Sequence, residues 1–196
     1  FTGNNLTVTG AGANDAGGTM TVTNAGTFTL DEGSTLVAGT LTQNGIGSNV
    51  IGDDVTADTG GITFAETVTV TSGTADDIIV FSTTADNQAI SFNDAAVSLA
   101  NADDENVTLI AGTATDGGNV TTGGSVGLGT TGDLLITRAE DASFAGSVAG
   151  ENFTQTNADN QSGTTTFSGL LDIETALSFT GNNLTVTGAG ANDAGG

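Results

Sequence analysis

Carboxylates are the only versatile chemical groups this sequence carries in quantity. There are 23 Asp and Glu, a single basic residue (Arg138), and no His, Cys, Lys or Tyr. The acids gather in short clusters. DDVTAD holds Asp53, Asp54 and Asp58; TADDII holds Asp76 and Asp77; NADDEN holds Asp103, Asp104 and Glu105; AEDAS holds Glu140 and Asp141. Calcium takes about six to eight oxygens from carboxylates, carbonyls and amides. The first three clusters are therefore candidate calcium ligands, with calcium the candidate cofactor and divalent cations candidate partners. Neither an EF-hand loop nor the GGxGxDxUx nonapeptide occurs. The competing use of the same acids is structural, because Asp at a turn caps nearby backbone N–H groups.

Catalysis has little to work with. Ser–His and Cys–His nucleophile pairs cannot be assembled without His or Cys. Two carboxylates suffice for glycoside hydrolysis, and Asp53, Asp54 and Asp58, or Asp103, Asp104 and Glu105, would have to supply them. The expectation is no enzyme and no catalytic residues. A net charge of −22 argues against nucleic acid, whose phosphates need Lys and Arg, and against an anionic membrane surface. No run approaches the roughly 18 apolar residues of a membrane span. Six N-glycosylation sequons stand at Asn5, Asn106, Asn119, Asn152, Asn160 and Asn183. In a chain this rich in Thr and Ser their number is little above chance. Thr-x-Thr sites at Thr7–Thr9, Thr21–Thr23 and Thr67–Thr71 raise ice binding. Their spacing is too irregular for one Thr-x-Thr per structural unit, and β propensity on a solvent face explains them as well.

The elements that must carry these groups read as short strands. In NLTVTG, Leu6 and Val8 face one way and Thr7 and Thr9 the other. The same alternation turns Met20 and Val22, Phe28 and Leu30, and Phe64, Phe92 and Phe167 inward. It closes with Phe179, Leu184 and Val186. Period-two alternation over a few residues predicts half-buried strands. The predicted core ladder is thus Leu6, Val8, Met20, Val22, Phe28, Phe64, Phe92, Phe167, Phe179, Leu184 and Val186. Two runs break the alternation, IIVF at 78–81 and LLI at 134–136, and predict strands covered on both faces. LLDIETAL at 170–177 is the nearest approach to a helix and is too short to make one.

The last eighteen residues, FTGNNLTVTGAGANDAGG at 179–196, repeat the first eighteen letter for letter. The period is 179 − 1 = 178 residues, so the chain reads as one unit, 1–178, and the start of the next, 179–196. Such a period is too long for one solenoid coil and must contain several. No Pro-rich or Ser-rich linker marks the junction. The fold expected is all-β: a right-handed parallel β-solenoid (β-helix), continuous across tandem repeats. Tandem β-sandwich modules are the alternative. At about 20 residues per coil, one period makes eight or nine coils and rises ~40 Å.

The stretches GGTMTVTNAGTFTLDEGSTLVAGTLTQNG and GTTTFSGLLDIETALSFTGNNLTVTGAG resemble giant repetitive bacterial surface proteins of the filamentous-haemagglutinin type. The likeness is one of pattern and spans most of the chain. It implies a secreted, elongated molecule at the cell surface with a structural or adhesive role. The function expected is a structural unit of an extracellular fibre, sheath or stalk, whose partners are copies of itself stacked head to tail or side by side. An adhesin shaft gripping carbohydrate or other cells is the alternative; a calcium-dependent surface layer and an ice-binding protein are remoter ones.

Overall fold

The computed structural model describes residues 1–71, 73, 77–93, 97–99, 105–156, 163–190 and 192–194. It is all-β and contains no helix among them: 24 strands wind as a parallel β-solenoid of eight turns and the start of a ninth. The parallel stacking excludes the sandwich alternative, whose sheets are antiparallel. Every named strand pair is parallel, with one antiparallel bridge, Gly112 to Gly117, outside them.

Each turn lays one short strand on each of three faces. The first face stacks Thr2–Gly3, Thr19–Asn24, Thr40–Gln43, Ile62–Phe64, Ile90–Phe92, Val120–Thr122, Ala142–Phe144, Thr164–Phe167 and Asn183–Val186 in that order. The second stacks Leu6–Val8, Phe28–Leu30, Asn49–Ile51, Val68–Val70, Val97–Leu99 and Val126–Gly127. The third stacks Asn14–Asp15, Leu36–Ala38, Val55–Ala57, Ile78–Thr83, Asn106–Ile110 and Leu134–Arg138. In the seventh and eighth turns the corner between second and third faces straightens. Val148–Gln155 and Leu171–Phe179 each run across both faces, with a register slip between Gly150 and Asn152. Asp193–Ala194 resumes the second face.

The strands form because Thr, Val, Ile and Phe suit a pleated, half-buried surface. They stack because the inward residues match. On the first face two inner ladders run the length of the molecule. One is Met20, Leu41, Ile62, Ile90, Val120, Ala142, Thr165 and Leu184; the other is Val22, Gln43, Phe64, Phe92, Thr122, Phe144, Phe167 and Val186. Aromatic triads fill the lumen at two heights. Phe64 and Phe92 stack at 5.8 Å with Phe81 edge-on. Phe144 and Phe167 stack at 5.0 Å with Phe153 edge-on. Such pairs add about 0.5–1.5 kcal/mol beyond area burial.

Coil length departs from the even 20 expected. Met20 pairs with Leu41 and Leu41 with Ile62, 21 residues per turn. Ile62 to Ile90 takes 28, and Ile90 to Val120 takes 30. Part of the difference lies in the third-face strands, six residues in Ile78–Thr83 and five in Asn106–Ile110 against three in Val55–Ala57, and the inner ladders keep step. The two apolar runs do not lie covered on both faces. Ile79, Phe81, Leu134 and Ile136 point into the lumen, while Ile78 is 52% exposed and Val80 and Leu135 are half-buried. The two runs nonetheless share one surface, for Val80 pairs with Thr108 and Thr108 with Leu135 on the outside of the third face.

Candidate functional site

The corners of a solenoid are where sheet hydrogen bonding lapses, and buried backbone N–H groups need another partner there. Short Asx side chains supply it. The Asp54 carboxylate accepts the Val80 N–H of the next turn at 2.8 Å. The Asn106 amide oxygen accepts from Asp133 N–H, and the Asp133 carboxylate accepts both the N–H and the side-chain amide of Asn152. At the next corner Asn119 accepts from Asp141 N–H, and Asp141 from Thr164 N–H. Asn5 accepts from Thr27 N–H at 2.9 Å. These residues clasp one turn to the next.

That role redistributes the predicted ligands. Asp53 and Asp54 lie at the corner between second and third faces, half-buried. Asp58 lies at the far end of strand Val55–Ala57, exposed, where it accepts from the Thr84 hydroxyl. Four extended residues separate Asp54 from Asp58, roughly 13 Å, too far for one calcium ion. Asp77 is at the same corner as Asp54 one turn on, and its carboxylate accepts the Ile78 N–H. Glu105 is buried one turn further, at the head of Asn106–Ile110. Asp76, Asp103 and Asp104 lie outside the described residues. Among those described, no three acids converge as a metal site would require.

The acids do line up. Asp31 and Glu32, Asp53 and Asp54, Asp77, Glu105, Asp133, Glu151 and Glu174 follow one another along the corner between second and third faces, turn after turn. Crowding shows at Asp54. Burial lifts its carboxyl above the ordinary range; the Val80 N–H pulls it back, and the charges of Asp53 and Asp77 add to the rise.

Of the sequons, Asn5, Asn106, Asn119 and Asn152 are engaged in the clasps described. Asn183 is exposed in the ninth turn, and Asn160 lies outside the described residues. The Thr-x-Thr sites do not share a face: Thr21–Thr23 lies on the first, Thr7 and Thr69 on the second. What does share a face was not legible from spacing. Thr21, Thr42, Thr63, Ser91, Thr121, Ser143, Thr166 and Thr185 pair in register down the outside of the first face. They form an unbroken hydroxyl ladder with the strand spacing of about 4.8 Å. The variable loops hid it, because only the register shows which Thr follows which.

Sequence reading also missed the buried amides. Gln43 donates to Asn24 Oδ1 and to the carbonyls of Gly45 and Gly47, and accepts from Ala65 N–H, so it welds a corner from inside. A glycine column occupies the corner between first and second faces. A Cβ on Gly146 would meet the Gly124 carbonyl at 2.4 Å, one on Gly169 the Gly146 carbonyl at 2.2 Å, and one on Gly188 the Gly169 carbonyl at 1.9 Å.

The ends of the stack complete the picture. Val22, Phe28, Phe64, Phe92 and Phe167 of the predicted core ladder are buried. Leu6, Val8 and Met20 are half-buried; Val8 and Met20, with Leu36, line a hollow of about 450 Å³ that opens the lumen at the first turn. Leu184 and Val186 keep the inward register, over Thr165 and Phe167, yet are 38% and 40% exposed because no further turn lies on them. Phe179 is half-buried over Gln155. No family model, curated protein or solved structure matches this chain.

Proposed function

We propose that this chain is a structural stretch of a long secreted fibre, sheath or stalk at a cell surface, built by stacking β-turns of tandem copies. The observation that carries the reading is the junction. The boundary between residues 178 and 179 falls inside the strand Leu171–Phe179, so a second copy begins without a break in the sheet. Incompletely covered inward residues at both ends of the stack support it, since open parallel edges invite further strands. The shaft needs no catalytic group; its chemistry is backbone pairing and the burial of Leu, Val, Ile and Phe. Divalent cations enter as counter-ions to the acidic corner.

A denaturing gel of the protein from its source material tests the reading. A band many times the 19.0 kDa of this chain is expected; a band at that mass overturns the covalent array. In a chain of several periods, Val186→Asp places a charge between turns and should shorten the fibres seen by electron microscopy. Unchanged lengths would remove Val186 from the ladder.

A second reading, an adhesin shaft, draws on the hydroxyl ladder of the first face, a flat row of donors and acceptors suited to a polyhydroxylated surface. Binding of the chain to insoluble polysaccharide, lost in Thr63→Val with Thr121→Val, would favour it. Equal retention by the variant would dismiss it.

A further inference from the structure

The two copies of the eighteen residues do not occupy the same place in the coil. In the first copy Leu6–Val8 lies on the second face, beside Phe28–Leu30. In the second copy the same letters, within Asn183–Val186, lie on the first face beside Thr164–Phe167. The other elements shift with them. Phe1 carries the first-face register, its carbonyl accepting from Thr23 N–H, whereas Phe179 lies on the third face beside Gln155. Asp15 is on the third face, paired with Val37; its counterpart Asp193 is on the second, paired with Asp172. Every element has moved back by one face.

One local contact is the same in both places. The Phe ring lies over the glycine two residues on, Gly3 in one copy and Gly181 in the other, where a Cβ would meet it at 2.7 and 2.6 Å. The difference is which side of the coil is covered. The first copy has a turn above it and none below; the second has a turn below and none above. Together they show one coil with both neighbours. Position 6, equivalent to 184, has Thr165 on one side and Phe28 on the other. Position 8, equivalent to 186, has Phe167 and Leu30; position 1, equivalent to 179, has Gln155 and Val22. No strand is used twice and none is left out.

We infer that tandem copies join through this shared coil, so that each 178-residue period advances one face short of eight full turns. Each copy is therefore turned by a third of a revolution relative to the one before, and three periods restore the orientation. The inference rests on the tandem reading above and specifies its partner: the third-face edge at Ala176–Phe179 receives the Thr19–Asn24 strand of the following copy. One consequence concerns the sides of the fibre. The acidic corner and the hydroxyl ladder are straight within one period, yet from copy to copy they step around the axis. A lateral partner meets the same surface at the same angle only at every third copy.

The absence of cysteine makes the test direct in the chain as it stands. Three double variants are made at outward positions and treated with a short bis-thiol cross-linker: Thr7→Cys with Thr29→Cys, Thr166→Cys with Thr185→Cys, and Asp172→Cys with Thr185→Cys. Intramolecular cross-links are read by gel mobility and peptide mass. The first two pairs are expected to cross-link nearly completely and the third not at all. Cross-linking of the third pair in place of the second puts both copies on the second face. The period is then a whole number of turns and the rotation is overturned, while stacking survives. Failure of the first pair likewise overturns the rotation. Failure of both the second and third leaves the second copy unstacked, and the fibre reading falls with it.

Discussion

Identical residues at the two ends of this molecule have different surroundings. Leu6 and Val8 are half-buried under Phe28 and Leu30; Leu184 and Val186, the same letters, are exposed over Thr165 and Phe167. The Leu-Thr-Val strand and the Phe-over-Gly contact recur in both copies. Face and partner do not. Local sequence writes the strand pattern, and the neighbouring turn chooses the face on which it is laid down. Gly10 and its counterpart Gly188 separate the two influences further. Gly10 has φ of 133°, a conformation L side chains avoid. Gly188 is needed because the Gly169 carbonyl leaves no room for a Cβ. One glycine answers a torsional demand in one copy and a steric one in the other.

The largest expected effect contrasts covered with half-covered phenylalanines. Phe167→Ala empties a lumen site packed by Phe144 and Phe153 and should lose about 3–5 kcal/mol in chemical denaturation. Phe179→Ala, covered from one side, should lose less than half of that. Equal losses would mean that the open edge at Phe179 is as well packed as the lumen around Phe167. Next come the glycines. Gly146→Ala forces two backbones apart and should lose about 1–3 kcal/mol, whereas Gly188→Ala lets a terminal turn lift and should lose less. Thr122→Val tests the interior ladder in the opposite direction. The Thr122 hydroxyl is buried between Phe92 and Phe144 with no hydrogen-bond partner, so its removal should gain about 1 kcal/mol. A loss would reveal a partner for it.

The smallest effect is electrostatic and depends on pH. The folded pKa of Asp54 lies above its ordinary value of 3.8, chiefly through burial. A raised acid contributes most to stability when protonated, below its unfolded pKa, and that contribution is lost as pH rises through the folded value. Asp54→Asn keeps an oxygen for the Val80 N–H and removes the charge. Its melting temperature should equal or slightly exceed that of the parent at neutral pH, with the difference vanishing on acidification. A difference constant across pH would assign the effect to packing instead.

The acidic corner shows where sequence reading stopped. Runs such as DDVTAD looked like ligand sets because adjacency in the chain was the only proximity visible. A strand carries Asp58 away from Asp54, while Asp77, 23 residues on, comes close enough to raise its pKa. In a solenoid the residue one turn away is the neighbour, and corner loops of variable length conceal which residue that is. The hydroxyl ladder was missed for the same reason.

Alternation of apolar and polar residues was enough to determine strands, their inward sides and, with the unbroken repeat, a stacked β architecture. These follow from a strand's two-residue period, which any short window displays. The tertiary structure alone decided the register from turn to turn, the clustering of acids at one corner, the unlike placement of two identical segments and the direction each copy faces. Register is a pairwise property of turns some twenty to thirty residues apart. It is set by which inner ladders fit, and no window shorter than a full turn contains both sides of that fit.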